Sequence, residues 1–434
     1  MKKGNSDTVK HEIQKKDQMK RIKDIYESFL NNFTSVEVFF MRIAPVAENE
    51  DKVIEKERIE YREYILKEIF GEDFENRNKT EKLEIKLTKE EVERIIHKIK
   101  QSPKIPAKNY GTLTKGAFIM LNNYFEFLFS DLLTYNFKKN TTTIDSKKLN
   151  ISFDDLKKYN SIEEAYEDLI YKEVESLLIE MNFEELKTYF SEKLKINLET
   201  EIINWNLITE IRERRNIIIH NNSLVNNKYI SRSKNPFNFN LNDEVKIEKE
   251  YFLNALSEIK LAGVLLCLNC WGNWDKNDTT NAIKEIVDIS FNNLKNSNHV
   301  FVEKICSYTE KRIKAKNDEE DDIIYKIKFN QCIALKRLNK LEELNLILST
   351  IKTGALTPLY KIAHLTLNNR HFEAVELVEK AIVADDLTIE KYEDWPIFNE
   401  IRNDKKLHKK VLETFEKINL NETFIKNNSQ KEKK

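Results

Sequence analysis

The chain has 434 residues, too many for one ordinary hydrophobic core and suited to two or three domains. Its 72 basic and 73 acidic side chains nearly cancel, which excludes a global field that would draw it to nucleic acid or to an anionic membrane and leaves such contacts to local patches. Seven glycines and six prolines give little material for hairpin turns while Lys, Glu, Leu, Ile and Asn dominate, so the expected class is all-α.

Residues 1–105 form the first expected unit, a helical N-terminal region. Its opening "MKKGNSDTVKHEIQKKDQMK" lacks the apolar centre of a signal peptide, and the chain has no run of about eighteen apolar residues. With four cysteines in no regular framework, this predicts a cytoplasmic protein without membrane contact. Ile22, Tyr26, Phe29 and Leu30 fall at helical spacing, and "FGEDFENRNKT" interrupts the pattern. "QSPKIPAKNYG" holds two prolines and a glycine and marks the boundary to a second unit, 106–276.

That unit opens on "TLTKGAFIMLNNYFEFLFSDLLTYNF", apolar on nearly every side and therefore a buried helix, with Asn122, Glu126 and Ser130 in one polar stripe. Two or three amphipathic helices follow, then a helix from about Thr200 that ends in "RERRNIIIHNN", an exposed turn "SRSKNPFNFNLND", and a last apolar helix "KEYFLNALSEIKLAGVLLCLNCWG". Residues 277–425 read as successive helical pairs. "YKIKFNQCIALKRLNKLEELNLILSTI" and "LYKIAHLTLNNRHFEAVELVEKAIVAD" align at an offset of roughly 30 residues, with Ala374 and Ala381 set for close helix approach, which resembles a tetratricopeptide-type repeat region. Residues 426–434 are expected to be a disordered tail.

The chemistry concentrates at 212–227. With 200–220 on a helix, Ile208, Ile211, Ile218 and Ile219 gather on one arc, Arg215 falls in its middle, and Asn216 and His220 lie on its edge with Arg212 one turn before them. An unpaired charge buried on such a face costs several kcal/mol, so Arg215 needs a partner; Glu126, alone on its apolar helix, is the most suggestive one. A buried Arg–Glu pair that only fixes helix register would explain those two residues. It would not explain His220: imidazole moves protons near neutrality and a guanidinium holds phosphate, so Arg, Asn and His together suit phosphodiester cleavage without a metal.

"RRNIIIHNN" resembles the signature of the HEPN superfamily, in which Arg, often followed by Asn, precedes His with four to six residues between them; Arg215, Asn216 and His220 match it with four. "KGAFIMLNNYFEFLFSDLL", "YKEVESLL" and "RRNIIIHNNSLVNNKYI" follow in the order seen in its branch similar to RiboL-PSP, so the resemblance covers about 112–272. It implies an all-α, HEPN-type bundle that dimerises with the two motifs facing each other in one composite RNA-cleaving site. The implied reaction is attack of the RNA 2′-hydroxyl on the adjacent phosphate, leaving a 2′,3′-cyclic phosphate. In it Arg215, Asn216 and His220 are catalytic, Glu126 supports the motif, and Arg212 and Arg214 are either RNA contacts or ordinary surface residues. No cofactor or metal is implied, and the biological role would be that of a toxin or anti-phage effector. The alternative is a non-catalytic scaffold that binds RNA or protein, with the helical pairs offering a surface to a protein partner.

Other motifs carry less. The cysteines of "CLNC" at 267–270 have zinc spacing but no second pair and suit the core of an apolar helix. Trp271 and Trp274 suit packing, the "DEEDD" run at 318–322 suits a helix N-terminus, and His364 and His371 have no ligand company. There is no glycine-rich phosphate loop, so ATP hydrolysis is not expected.

Overall fold

The structure, a computed structural model, describes residues 20–70, 88–101, 107–140, 143–144, 151–197, 201–352, 354 and 356–431. The described regular structure is helical, with one isolated antiparallel bridge, Leu224 to Glu244. The all-α class is therefore observed. The chain divides into two densely packed units: residues 1–194 with 203–264, and residues 195–202 with 265–434. The second division falls inside a helix, at 264/265 rather than the expected 276/277.

The first unit contains α1 (Ile22–Phe70), α2 (Lys89–Gln101), α3 (Asn109–Lys139), the single turn α4 (Phe153–Leu156), α5 (Ile162–Glu180), α6 (Phe183–Glu192), α7 (Trp205–His220), α8 (Asn227–Ser233) and most of α9 (Lys249–Trp274). Helix α3 is the axis: Phe118, Leu121, Phe125, Leu128, Phe129, Leu132 and Leu133 are all buried around it. At ~1.5–3 kcal/mol for each large apolar side chain removed from water, this helix anchors the unit. An aromatic ladder ties it to α6, with the Phe129 ring 5.0 Å from Phe125 and 5.3 Å from Phe190.

Helix α1 is not a separate region. Ile22, Tyr26, Phe29, Phe33, Val36 and Phe40 form one buried stripe at steps of three and four, and α1 packs along α3 through it. Asp51 of α1 also accepts the backbone N–H groups of Asn109 and Tyr110 at 2.8 and 2.9 Å, satisfying two donors that the first turn of α3 would leave unpaired. The domain boundary expected at 105/106 is thus bridged by packing and by a helix cap. Residues 102–106 themselves lie outside the described residues. Helix α9 is long and apolar enough by composition to cross a membrane, but most of that stretch is buried in the fold, as in a core helix. The expected core role of Cys267 and Cys270 holds: both are buried, and burial pushes the Cys270 thiol well up.

The second unit continues with α10 (Thr279–Lys295), α11 (His299–Arg312), α12 (Asp318–Arg337), α13 (Leu341–Thr350), α14 (Pro358–Leu367), α15 (His371–Glu376), α16 (Val378–Val383), α17 (Ile389–Asp394), α18 (Asn399–Asn403) and α19 (Lys405–Lys431). Helices α12/α13 and α14/α15 are the two expected pairs. They share a turn: Asn339 (φ 59°) and Asn369 (φ 61°) sit in the left-handed region, and the next N–H reaches back five residues, Lys340 to Leu335 and Arg370 to Leu365, at 2.9 Å in both. The turns recur at the offset at which the sequence aligns with itself. Ala374 and Ala381 are fully buried. Helix α19 runs on to Lys431, so the expected tail from 426 is mostly helical; residues 432–434 lie outside the described residues.

Candidate functional site

Helix α7 starts where the Asn204 side chain accepts the Leu207 N–H at 3.1 Å, and it ends at His220. The exit is built tightly. Asn222 (φ 48°) and Ser223 (φ 66°) are both left-handed, Ser223 N–H returns to the Ile217 carbonyl at 2.9 Å, and the Asn221 side-chain amide donates to the Leu224 carbonyl at 2.7 Å. The asparagines after His220 therefore fix where the helix stops.

The inward face of α7 differs from the expected arc. Ile208, Ile211 and Ile217 are buried, Ile218 is half-buried, and Ile219 is 42 % exposed. The arginine on this face is Arg214 and not Arg215. Arg214 is buried with Glu210, its Nε donating to Glu210 Oε1 at 2.7 Å and its Nη1 to the Lys246 carbonyl at 3.2 Å. Its guanidinium lies 3.7 Å from the Tyr251 ring centroid and 4.9 Å from that of Phe237. The hydroxyls of Tyr229 and Tyr251 donate to the two oxygens of Glu210, and burial first, then the Glu210 charge, raises both phenol pKa values. Arg214 as an RNA contact is thus corrected: the side chain is buried, with Nε and Nη1 donating inside the unit and Nη2 enclosed without a hydrogen-bond partner, out of reach of a phosphate.

Arg215 faces α3. Its Nη2 donates to Asn123 Oδ1 at 3.1 Å and to Glu126 Oε2 at 3.3 Å, and its Nη1 donates to Asn216 Oδ1 at 3.3 Å. Its Nε is buried without a partner. Arg212 takes the other oxygen of Glu126 at 3.2 Å and stacks 5.0 Å from the Phe183 ring centroid. Burial lowers the Arg212 pKa; the Glu126 charge opposes that and the like charge of Arg215 adds to it. One carboxylate therefore holds two guanidiniums side by side, the Arg215–Glu126 pairing that helix geometry suggests.

Sequence reasoning missed Asn123, Glu213, Lys228 and Arg232. Asn216 Nδ2 lies 3.5 Å from Glu213 Oε2, and Glu213 Oε1 is 3.8 Å from Arg232 Nη1. Asn122, assigned to the polar stripe of α3, is instead buried with its amide on the Phe118 carbonyl, and Asn123, three residues before Glu126, is the one that meets Arg215. The i, i+3 relation of Asn123 to Glu126 was the available signal.

Glu126, Arg212, Glu213, Arg215, Asn216, Lys228 and Arg232, though not Asn123, line a polar cleft of about 700 Å³ whose far wall is the α5–α6 corner, Leu178 to Glu185. Arg212, Arg215, Lys228 and Arg232 share its lining with Glu126, Glu180, Glu184, Glu185 and Glu213, so the cleft is bipolar and not simply cationic. His220 is outside its lining. It stands exposed five residues beyond Arg215, about 140° round the helix and roughly 7.5 Å along it, and one turn beyond Asn216. The arrangement offers a fixed guanidinium and an amide at the cleft and a solvent-facing imidazole at the end of the same helix.

No family model, curated protein or solved structure matches this chain.

Proposed function

We propose that the protein is an endoribonuclease of the HEPN type that cleaves RNA without a metal. The observation that supports this reading best is Arg215, held by Asn123 and Glu126 at the cleft with Asn216 beside it and an exposed His220 closing the same helix. The ribose 2′-oxygen forms a bond to the adjacent phosphorus while the bond from phosphorus to the 5′-oxygen breaks. One imidazole takes the 2′-hydroxyl proton, and a protonated imidazole supplies a proton to the departing 5′-oxygen. Arg215 stabilises the charge that builds on the phosphate oxygens, and Asn216 orients phosphate or imidazole. Glu126 keeps Arg215 in place, and Arg212 shares that role with a contact to the RNA backbone.

One imidazole per chain at an exposed helix end supports a dimer in which two copies of His220 serve one composite site. Ile219, 42 % exposed beside it, gives that end an apolar contact. We place the activity in the cytoplasm, as a toxin or anti-phage effector that cleaves cellular or viral RNA, with the second unit binding a regulating partner.

A second reading rests on a specific observation: Arg212 and Arg215 both already pair with Glu126, which suits a register-fixing pair in a non-catalytic RNA- or protein-binding scaffold. Purified protein with mixed single-stranded and structured RNA in EDTA separates the two. Cleavage that persists in chelator and is lost in both Arg215→Ala and His220→Ala supports the enzyme. Binding without cleavage supports the scaffold, and full activity in His220→Ala removes the mechanism.

A further inference from the structure

The second unit carries a pair of adjoining cavities unrelated to the Arg215 cleft. One, of about 350 Å³, is walled by the rings of Phe291, Tyr360 and Trp395. The other, of about 540 Å³, is lined by Lys295, Arg337 and Arg402 together with His299, three cations against the two carboxylates Glu393 and Asp394. Both sizes are in the range that holds small ligands.

Three elements run from one cavity into the other. On α10, Phe291 lines the aromatic cavity and Lys295, one turn on, lines the cationic one; the Lys295 ammonium is 5.7 Å from the Phe291 ring centroid. On α12, Asn330 lines the first and Arg337, two turns on, lines the second, a span of roughly 10 Å along the helix. Asp394 borders both. The two cavities are therefore neighbouring halves of one trough.

The polar groups in the cationic half are only partly committed. Lys295 pairs with Asp394 at 2.9 Å, and Arg402 donates to the carbonyls of Tyr392 and Trp395, which fixes the segment between them. Arg337 keeps only a 3.8 Å approach to Glu400 and is 37 % exposed. His299 Nδ1 is buried with no hydrogen-bond partner. His299 opens α11, whose preceding Asn298 supplies no side-chain cap, so the first N–H groups of that helix lack the usual side-chain acceptor. A buried ring nitrogen, a helix start without a side-chain cap and a forked cation all suit one kind of ligand, an anion with several oxygens. The rings next to it select what carries that anion: a flat aromatic group.

We propose that this trough binds a nucleoside phosphate, the base against Phe291 and Trp395 and the phosphate at Arg337, Lys295 and His299. The site is independent of the RNA-cleavage reading and gives the second unit a small-molecule input.

Isothermal titration of the full chain in EDTA with ADP tests it, with adenosine and pyrophosphate as the two halves of the ligand. ADP is expected to bind once per chain, with adenosine and pyrophosphate each at least roughly tenfold weaker, because each engages one half only. Arg337→Ala and Phe291→Ala are expected to weaken ADP by a similar factor, with Arg337→Lys recovering part of the loss, while Arg215→Ala binds as the unaltered chain does. Circular dichroism checks that the variants fold. No binding at about 1 mM ADP overturns the proposal. So does pyrophosphate binding as tightly as ADP, or an ADP site that Arg215→Ala abolishes and Arg337→Ala leaves intact.

Discussion

Adjacent arginines on α7 have opposite duties. Arg214 is an interior residue whose charge is balanced by Glu210 and whose guanidinium lies against the Tyr251 and Phe237 rings, whereas Arg215 reaches the cleft. Removing one member of a buried, hydrogen-bonded pair costs about 3–5 kcal/mol, so Arg214→Ala should lower the urea midpoint sharply. Arg215→Ala should cost about 1 kcal/mol or less, since Glu126 keeps Arg212, and should show its effect in RNA cleavage. Equal destabilisation by the two would contradict this division. The helical period alone could not separate them. Arg214 is drawn inward by Tyr229, Phe237, Lys246 and Tyr251, all on chain that follows the helix, and that pull turns α7 so that Ile217 and not Ile219 faces the core.

A second residue ties stability to pH. Burial pushes the Glu400 carboxyl up, but Lys336 at 2.7 Å, then Arg337 and His371, outweigh it and hold its pKa below the ordinary 4.5. A carboxyl depressed in the folded state contributes its full stabilisation above that ordinary value and loses it as pH falls through the folded one. Glu400→Gln should therefore destabilise the chain by about 1–2 kcal/mol at neutral pH. The difference should narrow below about pH 4.5 in thermal melts across pH.

Among the elements, the contact between α1 and α9 depends on a glycine. A Cβ at Gly263 would sit 2.1 Å from Phe29 Cζ, and Phe29 is itself buried. Gly263→Ala gains up to about 1 kcal/mol in helix propensity, yet overpacking costs about 1–3 kcal/mol. A net loss of stability is expected in urea, and a stabilised variant would show that the Phe29 ring turns aside freely. The N-terminal helix read as part of a separate region because charged residues dominate its sequence; the start of its stripe, Ile22, Tyr26 and Phe29, was legible, but its target was not. What α1 covers is set by α3, some ninety positions later, and by the Asp51 cap on that helix.

For the molecule as a whole, composition alone carried the helical class, since so few glycines and prolines leave little else to build. The 30-residue self-alignment was legible for the same kind of local reason: Asn339 and Asn369 each end a helix in the left-handed region and need no distant partner to do so. The composition of the cleft was not legible, because Glu180, Glu184 and Glu185 come to it from the α5–α6 corner. Those acids carry a consequence for binding. With a net charge of −1 and a bipolar cleft, RNA affinity should fall with salt as for roughly two or three neutralised phosphates, well short of a strongly cationic nuclease. Filter binding with His220→Ala across salt concentrations measures that slope; one equivalent to eight or more phosphates would require a basic track elsewhere.

The reaction itself leaves the most direct record, in the ends of the RNA fragments. Attack by the 2′-hydroxyl, with His220 moving the protons and Arg215 holding the phosphate, leaves a 2′,3′-cyclic phosphate on one fragment and a 5′-hydroxyl on the other. Mass spectrometry of the products in EDTA should find those two ends with the unaltered chain and neither with Arg215→Ala or His220→Ala. Fragments ending in a 3′-hydroxyl and a 5′-phosphate, or cyclic ends made equally well by His220→Ala, would mean that Arg215 and His220 do not perform this chemistry.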